Sequence, residues 1–469
     1  MITRSEVSKH TTKDSCWVII KDCAYDVTDF LDLHPGGKHI ILKYAGQDAT
    51  DAFESFHSED TLYKHIGSKQ TIGPVTGAMP PTTVPTKPIN QPGNASEKGS
   101  RLYSILNIGD FEVAASEVLP PKPFAFFKSG AEDERTATWN QKSWQSVRFR
   151  PRVLKPIGVV DTSTRLLGTE FSAPFFISPA GGGKLAHPTG EILMTKAAAK
   201  EGILQWVCNN AGCSQKQMTD ARGPNQTLYW QIYAMTDLEI TKREIKEAIA
   251  SGYKGFTLTV DAIKVGKRER DMRLNIAESV VPGPGDDDED FGLSGGISVT
   301  RPNVYSKFDW VSAVEWLRGI TDLPIVIKGI QCWEDAALCM QHGVHPWLSN
   351  HGGRQLEGAP SALETLLEIR QYCPEVFDKC EVIVDGGITR GTDIVKALAL
   401  GAKGVGLGRA FLFALVFGEP GVRRAIRILK QEVETTMALL GVSSIDQLNP
   451  SYVDSSGLLL AAAVTRAHL

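Results

Sequence analysis

Eight short runs with the composition of β-strands alternate with helical patterns in the second, larger part of the chain. The runs are 175–180, 203–208, 228–233, 255–261, 324–328, 344–350, 381–387 and 403–408. Stretches between them, such as GEILMTKAAAKEG and RGTDIVKALALG, have the apolar spacing of helices. Strands that alternate with helices build a parallel sheet, and eight such units close into a barrel. We therefore predict an α/β fold, a (β/α)₈ TIM barrel.

One proline and one insertion depart from this pattern. Pro346 lies inside the sixth predicted strand, where its missing N–H breaks the ladder of hydrogen bonds, so we expect an irregularity there. The insertion at 279–302 separates the fourth and fifth strands and carries an acidic run among glycines. It is typical of a solvated loop, with an active-site lid as the alternative.

Charge and cysteine usage limit the classes of protein to which the chain can belong. The formal net charge of −4 gives no electrostatic reason to expect nucleic acid or a membrane as a partner. Eight cysteines without a CxxC pair are typical of reduced, intracellular thiols. The apolar run 410–417 is too short to span a bilayer, and the N-terminus shows no targeting pattern. We therefore expect a cytoplasmic location.

Two histidines stand in an aromatic setting near the N-terminus. His34 lies in DFLDLHPGG and His57 in AFESFHSED. Phe30, Phe53 and Phe56 would offer an apolar wall to a flat ligand, and the glycines after His34 permit a sharp turn. Each histidine alone is more commonly a turn residue than a ligand, but the pair in this setting favours a ligand site.

The stretches DSCWVIIKDCAYDVTDFLDLHPGG and FHSED resemble the cytochrome b5 family. The resemblance implies a small α+β haem-binding domain at 1–75, with His34 and His57 as the axial ligands of haem b. Two imidazoles fill both axial positions, so such a haem carries electrons and performs no bond chemistry. Residues 76–100, rich in Pro, Gly, Thr and Asn, predict a linker, and 101–469 form the barrel domain.

Residues that end or follow the strands of a (β/α)₈ barrel meet at one rim, where the active sites of this fold lie. The candidates there are Gln231, Tyr233, Thr259, Asp261, Lys328, Asn350, His351, Arg354, Asp385, Gly386, Gly387, Gly408 and Arg409. Each alone is explained by a cap, a turn or an ion pair, but their shared position is not. The glycines and Arg409 after the last two strands predict a phosphate site.

The motifs SNHGGRQLEG, TVDA, LPIVIKG and DGG…GLGR resemble those of the FMN-dependent 2-hydroxy acid oxidase and dehydrogenase family. The resemblance implies FMN as the cofactor and oxidation of an L-2-hydroxy acid to the 2-oxo acid. It makes His351 the base that takes a proton, a task suited to a group whose pKa lies near the working pH. Asp261 would stabilise the imidazolium. Arg354, assisted by Arg268, would bind the substrate carboxylate, and Tyr233 its hydroxyl.

The same resemblance implies the contacts of the flavin. Lys328 would lie against the ring, where its charge favours the reduced state. The further positions expected to contact FMN are Ala180, Gly181, Cys208, Gln231, Thr259, Asp385, Gly386, Gly387, Thr389, Arg390, Gly408 and Arg409.

Several positions depart from the family. Phe126, in the substrate site, replaces a tyrosine that helps to bind the carboxylate, and Thr389 replaces an arginine that commonly binds the flavin phosphate. Ala180 and Gly181 replace a Thr-Ala pair, which we expect to leave more space, and Asn210 stands at an apolar pocket position. These changes predict a substrate larger than lactate or different from it.

The expected partners are a small 2-hydroxy acid and an external electron acceptor such as cytochrome c, which would receive electrons from the haem. Two alternatives stay open, namely an oxidase that reduces oxygen directly and a haem electron-transfer protein with a weakly active barrel. Similar proteins are often tetramers, so the resemblance implies a homotetramer. It also gives the mitochondrial intermembrane space as the alternative location.

Overall fold

The computed structural model describes residues 2–34, 38–57, 61–62, 66, 70–76, 102–278 and 304–458. The predicted linker beyond Thr76, the insertion at 279–302 and the turn that follows His34 lie outside the described residues.

The strands and helices follow in chain order. The strands are β1 Ile2–Thr3, β2 Thr11–Thr12, β3 Ser15–Ile20, β4 Cys23–Asp26, β5 Thr71–Thr76, β6 Arg148–Phe149, β7 Thr164–Leu166, β8 Thr169–Phe171, β9 Phe175–Ile177, β10 Gln205–Cys208, β11 Leu228–Ile232, β12 Phe256–Thr259, β13 Ile325–Ile330, β14 His345–Leu348, β15 Ile383–Asp385, β16 Gly404–Leu407 and β17 Val453–Asp454. The helices are α1 Arg4–Val7, α2 Lys38–Leu42, α3 Thr50–Phe56, α4 Ile108–Val118, α5 Pro121–Lys128, α6 Arg135–Gln145, α7 Gly183–Ala186, α8 Ile192–Glu201, α9 Gln215–Asp220, α10 Leu238–Ala250, α11 Glu269–Glu278, α12 Trp310–Arg318, α13 Trp333–Gln341, α14 Ala362–Tyr372, α15 Val376–Lys379, α16 Gly391–Ala399, α17 Arg409–Leu415 and α18 Gly418–Leu440. Short 3₁₀ segments lie at Thr28–Leu33, His351–Gly353, Ile445–Gln447 and Pro450–Tyr452.

The N-terminal domain is built on a five-stranded sheet in the order β1-β5-β4-β3-β2. Strands β1 and β5 run parallel, and the other neighbours are antiparallel. The alternation of side chains along β3 gives the sheet two apolar faces. Val18 and Ile20 pack with Leu31 and Leu62 on one face, whereas Ile19 joins a smaller cluster on the other. The first face is the one on which the crevice of the two histidines forms.

Strands β9 to β16 close into a parallel eight-stranded barrel, which confirms the fold predicted from the alternating pattern. Its interior holds large aromatic side chains, since Trp206 lies 4.8 Å from Tyr229 and 5.2 Å from Trp347 between ring centroids. The β7–β8 hairpin packs against this inner cluster, and the Tyr229 hydroxyl donates to the Leu166 carbonyl at 3.2 Å. The inside of the barrel is therefore a packed core.

Pro346 does lie inside a barrel strand, β14, and the expected irregularity is present in the pairing of that strand. Lys328 pairs with Trp347 and Ile330 with Leu348, so Gly329 of the neighbouring strand is skipped. Gly329 has a φ of 112°, and a Cβ there would lie 2.7 Å from the Cβ of Asp261. The bulge thus needs glycine and brings β13 close to the end of β12.

The helices around the barrel have the ends that their sequences predict. Ser361 caps α14, because its side chain accepts from the Glu364 N–H and the Glu364 side chain accepts in return. The long helix α18 ends at Gly441, whose φ is 80°. Across the described ranges, no helix combines the length and the apolar character needed to cross a membrane.

Candidate functional site

His351 and Asp261 form a buried pair at the carboxyl end of the barrel. The Nδ1 atom of His351 lies 2.9 Å from Oδ1 of Asp261, whose side chain is 1% exposed. Burial alone would raise the pKa of Asp261, but the charges of His351 and Lys328 and the hydrogen bond outweigh it, so the pKa lies below its ordinary value. An ionised carboxylate only accepts hydrogen bonds, so Nδ1 carries a proton and the lone pair of the neutral ring is on Nε2. The ring is oriented to act as a base through Nε2.

The turn that carries His351 is held by a pair of buried amides. Asn140 and Asn350 donate to each other at 2.8 and 2.7 Å, and Asn350 also accepts from the Gly353 N–H. His351 itself has a φ of 57°, a conformation that few residues with a side chain adopt. Such a conformation persists only where the surrounding structure stabilises it. The hydrogen bonds of the Asn140–Asn350 pair provide that stabilisation.

Two guanidinium groups flank the ring of Phe126. The Cζ atoms of Arg268 and Arg354 lie 5.5 and 5.3 Å from its centroid, so both make cation–π contacts. Arg354 also donates through Nη1 to the carbonyls of Phe126 and Ser129, each at 2.8 Å. Burial, together with the charges of Arg268 and Arg409, lowers the pKa of Arg354 well below its ordinary value. A bound carboxylate would relieve this crowding of positive charge.

Lys328, on β13, is a buried cation. Its Nζ donates to the Ser349 hydroxyl at 2.8 Å and lies 3.5 Å from Oδ2 of Asp385. Burial acts to lower its pKa, but Asp385, Asp261 and Tyr233 outweigh burial and raise it above the ordinary value. The amine therefore stays charged in a setting that would otherwise neutralise it.

Most of the predicted site residues line one continuous cavity of about 1870 Å³. They are His34, His57, Phe126, Ala180, Gly181, Cys208, Tyr233, Arg268, Lys328, His351, Arg354, Asp385, Gly386, Gly387, Thr389, Arg390, Gly408 and Arg409. The remaining three lie behind the cavity wall and do not line it, namely Asp261, Gln231 and Thr259. There Asp261 hydrogen-bonds to His351, and Gln231 donates to Thr259 at 2.9 Å.

The barrel end of the cavity fits a flat, phosphate-bearing cofactor. The Ser178 hydroxyl lines it and is buried without a hydrogen-bond partner among the described residues. Gly386 and Gly387 have φ values of 99° and 74°, and a Cβ on Gly387 would lie 2.0 Å from the Asn140 carbonyl oxygen. A side chain at Gly387 is thus excluded from the loop that precedes α16, whereas the N–H groups of Thr389 and Arg390 donate to the Asp393 carboxylate. These features, with the charged Lys328, match the requirements of FMN.

The predicted phosphate end has fewer available arginines than the sequence implied. Arg390 lies at the cavity but pairs with Glu432 at 2.7 Å and is 51% exposed. Arg409 donates to the carbonyls of Gly352 at 3.0 Å and Lys128 at 3.4 Å. Burial lowers the pKa of Arg409 from its ordinary value. Thr389 lines this end of the cavity with an uncharged side chain.

The expectation of extra space beside Gly181 is wrong. A Cβ on Gly181 would lie 2.7 Å from the backbone oxygen of Asn210, which occupies the volume that a side chain would take. Gly181 therefore provides no additional cavity volume at this position.

His34 and His57 face each other across the crevice of the N-terminal domain. Their ring centroids are 6.0 Å apart with an interplanar angle of 71°. Metal–imidazole bonds of about 2.0–2.1 Å leave room for one iron between the two rings. Phe30 lies 5.9 Å from His34, and Phe53 lies 4.9 Å from His57, so the walls are apolar. This donor set and these walls fit haem b.

The haem crevice opens towards the flavin end of the same cavity. Helix α3, which ends at His57, packs against α7 at the mouth of the barrel. No group of three or more His, Cys, Asp or Glu side chains suited to a metal ion occurs elsewhere in the part of the chain that the structure describes.

The sequence motifs did not reveal three supporting residues. Ser349 anchors Lys328, and Asn140 anchors the His351 turn from a distant helix. Glu191 accepts from the N–H groups of Gly183 at 2.8 Å and Gly212 at 3.3 Å, and burial raises its pKa. It thus joins two loops of the cavity wall. Of the three, only Ser349 lies within a motif that the sequence analysis noted, SNHGGRQLEG, so only its position indicated a role.

Comparisons with known proteins match the barrel domain to a flavin-dependent family and the N-terminal domain to a haem-binding family. The FMN-dependent dehydrogenase family matches residues 115–455, and the cytochrome b5-like haem/steroid-binding domain matches 3–76. L-lactate dehydrogenase (cytochrome) of Wickerhamomyces anomalus is 40% identical over 97% of this chain and 80% of its own length. The enzyme of the same name from Saccharomyces cerevisiae is 38% identical with the same coverage. A double mutant of flavocytochrome b2 with pyruvate bound superimposes with a TM-score of 0.69 at 36% identity, covering 78% of this chain and 93% of that one.

Replacing Asp261 with Asn is expected to slow flavin reduction by a 2-hydroxy acid about 10²–10⁴-fold, because an amide does not stabilise the imidazolium. Rapid mixing under anaerobic conditions measures that rate. Asp237→Asn is the matched control, since Asp237 caps α10 and Asn caps a helix equally well. Equal rates for the two variants would remove Asp261 from the mechanism.

Replacing Thr389 with Arg is expected to lower the FMN dissociation constant about 10–100-fold, because a charged hydrogen bond to phosphate contributes about 1.5–3 kcal/mol. Quenching of FMN fluorescence during titration of the apoprotein measures the constant. Riboflavin, which lacks the phosphate, is the control and should bind the two proteins alike. A gain shared by riboflavin would contradict a phosphate contact.

Proposed function

The chain belongs to the FMN-dependent dehydrogenase family, and from this membership we propose which residues carry out its reaction and where its electrons go. The protein is an FMN- and haem-dependent oxidoreductase that oxidises an L-2-hydroxy acid. The roles of single residues, the acceptor and the assembly are the proposal.

One observation carries the assignment of residues. The His351–Asp261 pair, the Arg268–Arg354 pair and Lys328 surround one end of a cavity whose other end holds His34 and His57. A base and an anion clamp beside a cationic flavin contact suit the oxidation of a hydroxy acid. The imidazole pair in the same cavity suits the onward passage of electrons.

The substrate binds through its carboxylate. Arg354, whose pKa is lowered by burial and by the charges of Arg268 and Arg409, attracts it together with Arg268, and bidentate hydrogen bonds fix its orientation. Tyr233 donates to the substrate hydroxyl oxygen. Nε2 of His351 then takes a proton from the substrate, and Asp261 stabilises the positive ring by its proximity to Nδ1.

When bound, FMN would supply the two-electron oxidation chemistry and haem b the single-electron transfer to an external acceptor, for which we propose cytochrome c. Lys328 keeps its charge in the buried site, where it stabilises negative charge on a neighbouring ring. His34 and His57 would be the residues that hold the haem iron, which would leave no position on it for substrate.

We also propose a homotetramer, which the exposed apolar segment after β6 supports. Val153, Leu154 and Val159 are 82, 100 and 90% exposed, and Leu154 has a φ of 58°. The segment runs beside the end of α18, where the Arg152 N–H donates to the Leu440 carbonyl. An exposed apolar surface of this kind is typical of an interface between subunits.

Anaerobic mixing with a panel of L-2-hydroxy acids should bleach the flavin first and then reduce the haem. In the His57→Ala variant the flavin should still bleach, whereas the haem absorbance and most of the cytochrome c reduction should disappear. His10→Ala, in the same domain but outside the crevice, is the control. Cytochrome c reduction that survives in His57→Ala would contradict the electron route. In a separate assay in air without an added acceptor, peroxide release matching substrate consumption would identify an oxidase instead.

The Leu154→Asp substitution is expected to shift the assembly to smaller species, because a buried, unpaired carboxylate opposes association. Size-exclusion chromatography with light scattering reports the mass. Leu106→Asp, at a site that is 72% exposed elsewhere on the barrel domain, should leave the mass unchanged. Identical masses for both variants and the parent would contradict an interface at this segment.

A further inference from the structure

A continuous wall runs from the carboxylate clamp to the loop after β10. The Phe126 ring, which makes cation–π contacts with Arg268 and Arg354, is close to Gly182, because a Cβ there would be 3.1 Å from its Cε1. The preceding residue, Gly181, lies against the backbone of Asn210. A substrate held by the two arginines therefore extends its side chain along two glycines towards Asn210.

The end of this wall is polar. Asn209 and Asn210 both line the cavity, and Asn210 is exposed to it. The Asn209 N–H donates to Gln231 at 3.4 Å, which fixes the loop beside the strand that leads to Tyr233. Two neighbouring carboxamides thus lie where the side chain of a substrate would end.

One of the carboxamides has an unmet hydrogen bond. Oδ1 of Asn209 is buried and accepts no hydrogen bond from any residue that the structure describes. Buried acceptors are nearly always satisfied in folded proteins, so a ligand group that donates here would be favoured. An apolar side chain would leave the oxygen unsatisfied, and a second carboxylate would present another acceptor to it.

A hydroxyl is the group that matches both features. It donates to a carboxamide oxygen and accepts from a carboxamide nitrogen, and it carries no charge that the neutral pair would have to balance. We propose that Asn209 and Asn210 select L-2-hydroxy acids that carry a hydroxyl on the side chain, with glycerate as the smallest example. The proposal rests on the proposed oxidation of L-2-hydroxy acids.

The test compares two acids of equal size. L-glycerate and L-2-hydroxybutanoate differ only by a hydroxyl in place of a methyl group. The effects of substrate size and of carboxylate binding are therefore the same for both acids. Anaerobic rapid mixing with the holoenzyme gives the second-order rate of flavin bleaching for each. We expect glycerate to react about tenfold faster or more, since a site built to bond a hydroxyl rejects the analogue that lacks it.

Asn210→Leu and Asn209→Leu, in which leucine matches asparagine in shape, should abolish or reverse this preference while lactate still bleaches the flavin. Asn210 is exposed to the cavity, so its variant tests the proposal even if the buried Asn209 variant does not fold. A 2-hydroxybutanoate rate equal to or above that of glycerate in the parent enzyme overturns the proposal and leaves the oxidation intact. A preference that persists in both variants overturns the role of the two residues. Failure of every acid to bleach the flavin overturns the proposed function itself.

Discussion

The buried charge of Lys328 organises the carboxyl end of the barrel. A buried amine on β13 stays charged only with nearby compensation, and groups on or after three neighbouring strands provide it. Ser349 after β14 accepts its hydrogen bond, Asp385 on β15 lies 3.5 Å away, and Asp261 after β12 contributes its charge. Asp261 in turn fixes the ring of His351. One buried cation thereby links the flavin contact, the base and the bulge at Gly329 that lets β12 and β13 approach.

Positive charge is concentrated where the substrate carboxylate would bind. Arg354 is held by backbone carbonyls rather than by a carboxylate, and its pKa is depressed by burial and by Arg268 and Arg409. An arginine bonded to neutral acceptors keeps its net charge, so it is fixed in position and still attracts an anion. Phe126 fits this arrangement, because its ring stacks with both guanidinium groups although it lacks the hydroxyl of a tyrosine.

The cavity explains how one chain combines two kinds of chemistry. The two-electron oxidation needs a closed site with a base, whereas single-electron transfer needs only proximity between two cofactors. Helix α3 ends at His57 and packs against α7, whose first residue follows the Gly181–Gly182 wall. The same loop therefore borders the substrate and contacts the haem domain. Glu191 anchors that loop through the Gly183 N–H.

The sequence by itself determined the barrel and predicted the residues that we propose to react. Alternating strand and helix patterns are local properties, and the HGGR and HPGG motifs are contiguous, so both are visible along the chain. Only the tertiary structure decided how the substituted positions behave. Gly181 gains no space because the Asn210 backbone, from another strand, fills it, and Arg390 is drawn to Glu432 on α18. Gln231 and Thr259 bond each other behind the cavity wall. These outcomes depend on contacts between residues distant in sequence, which no local pattern encodes.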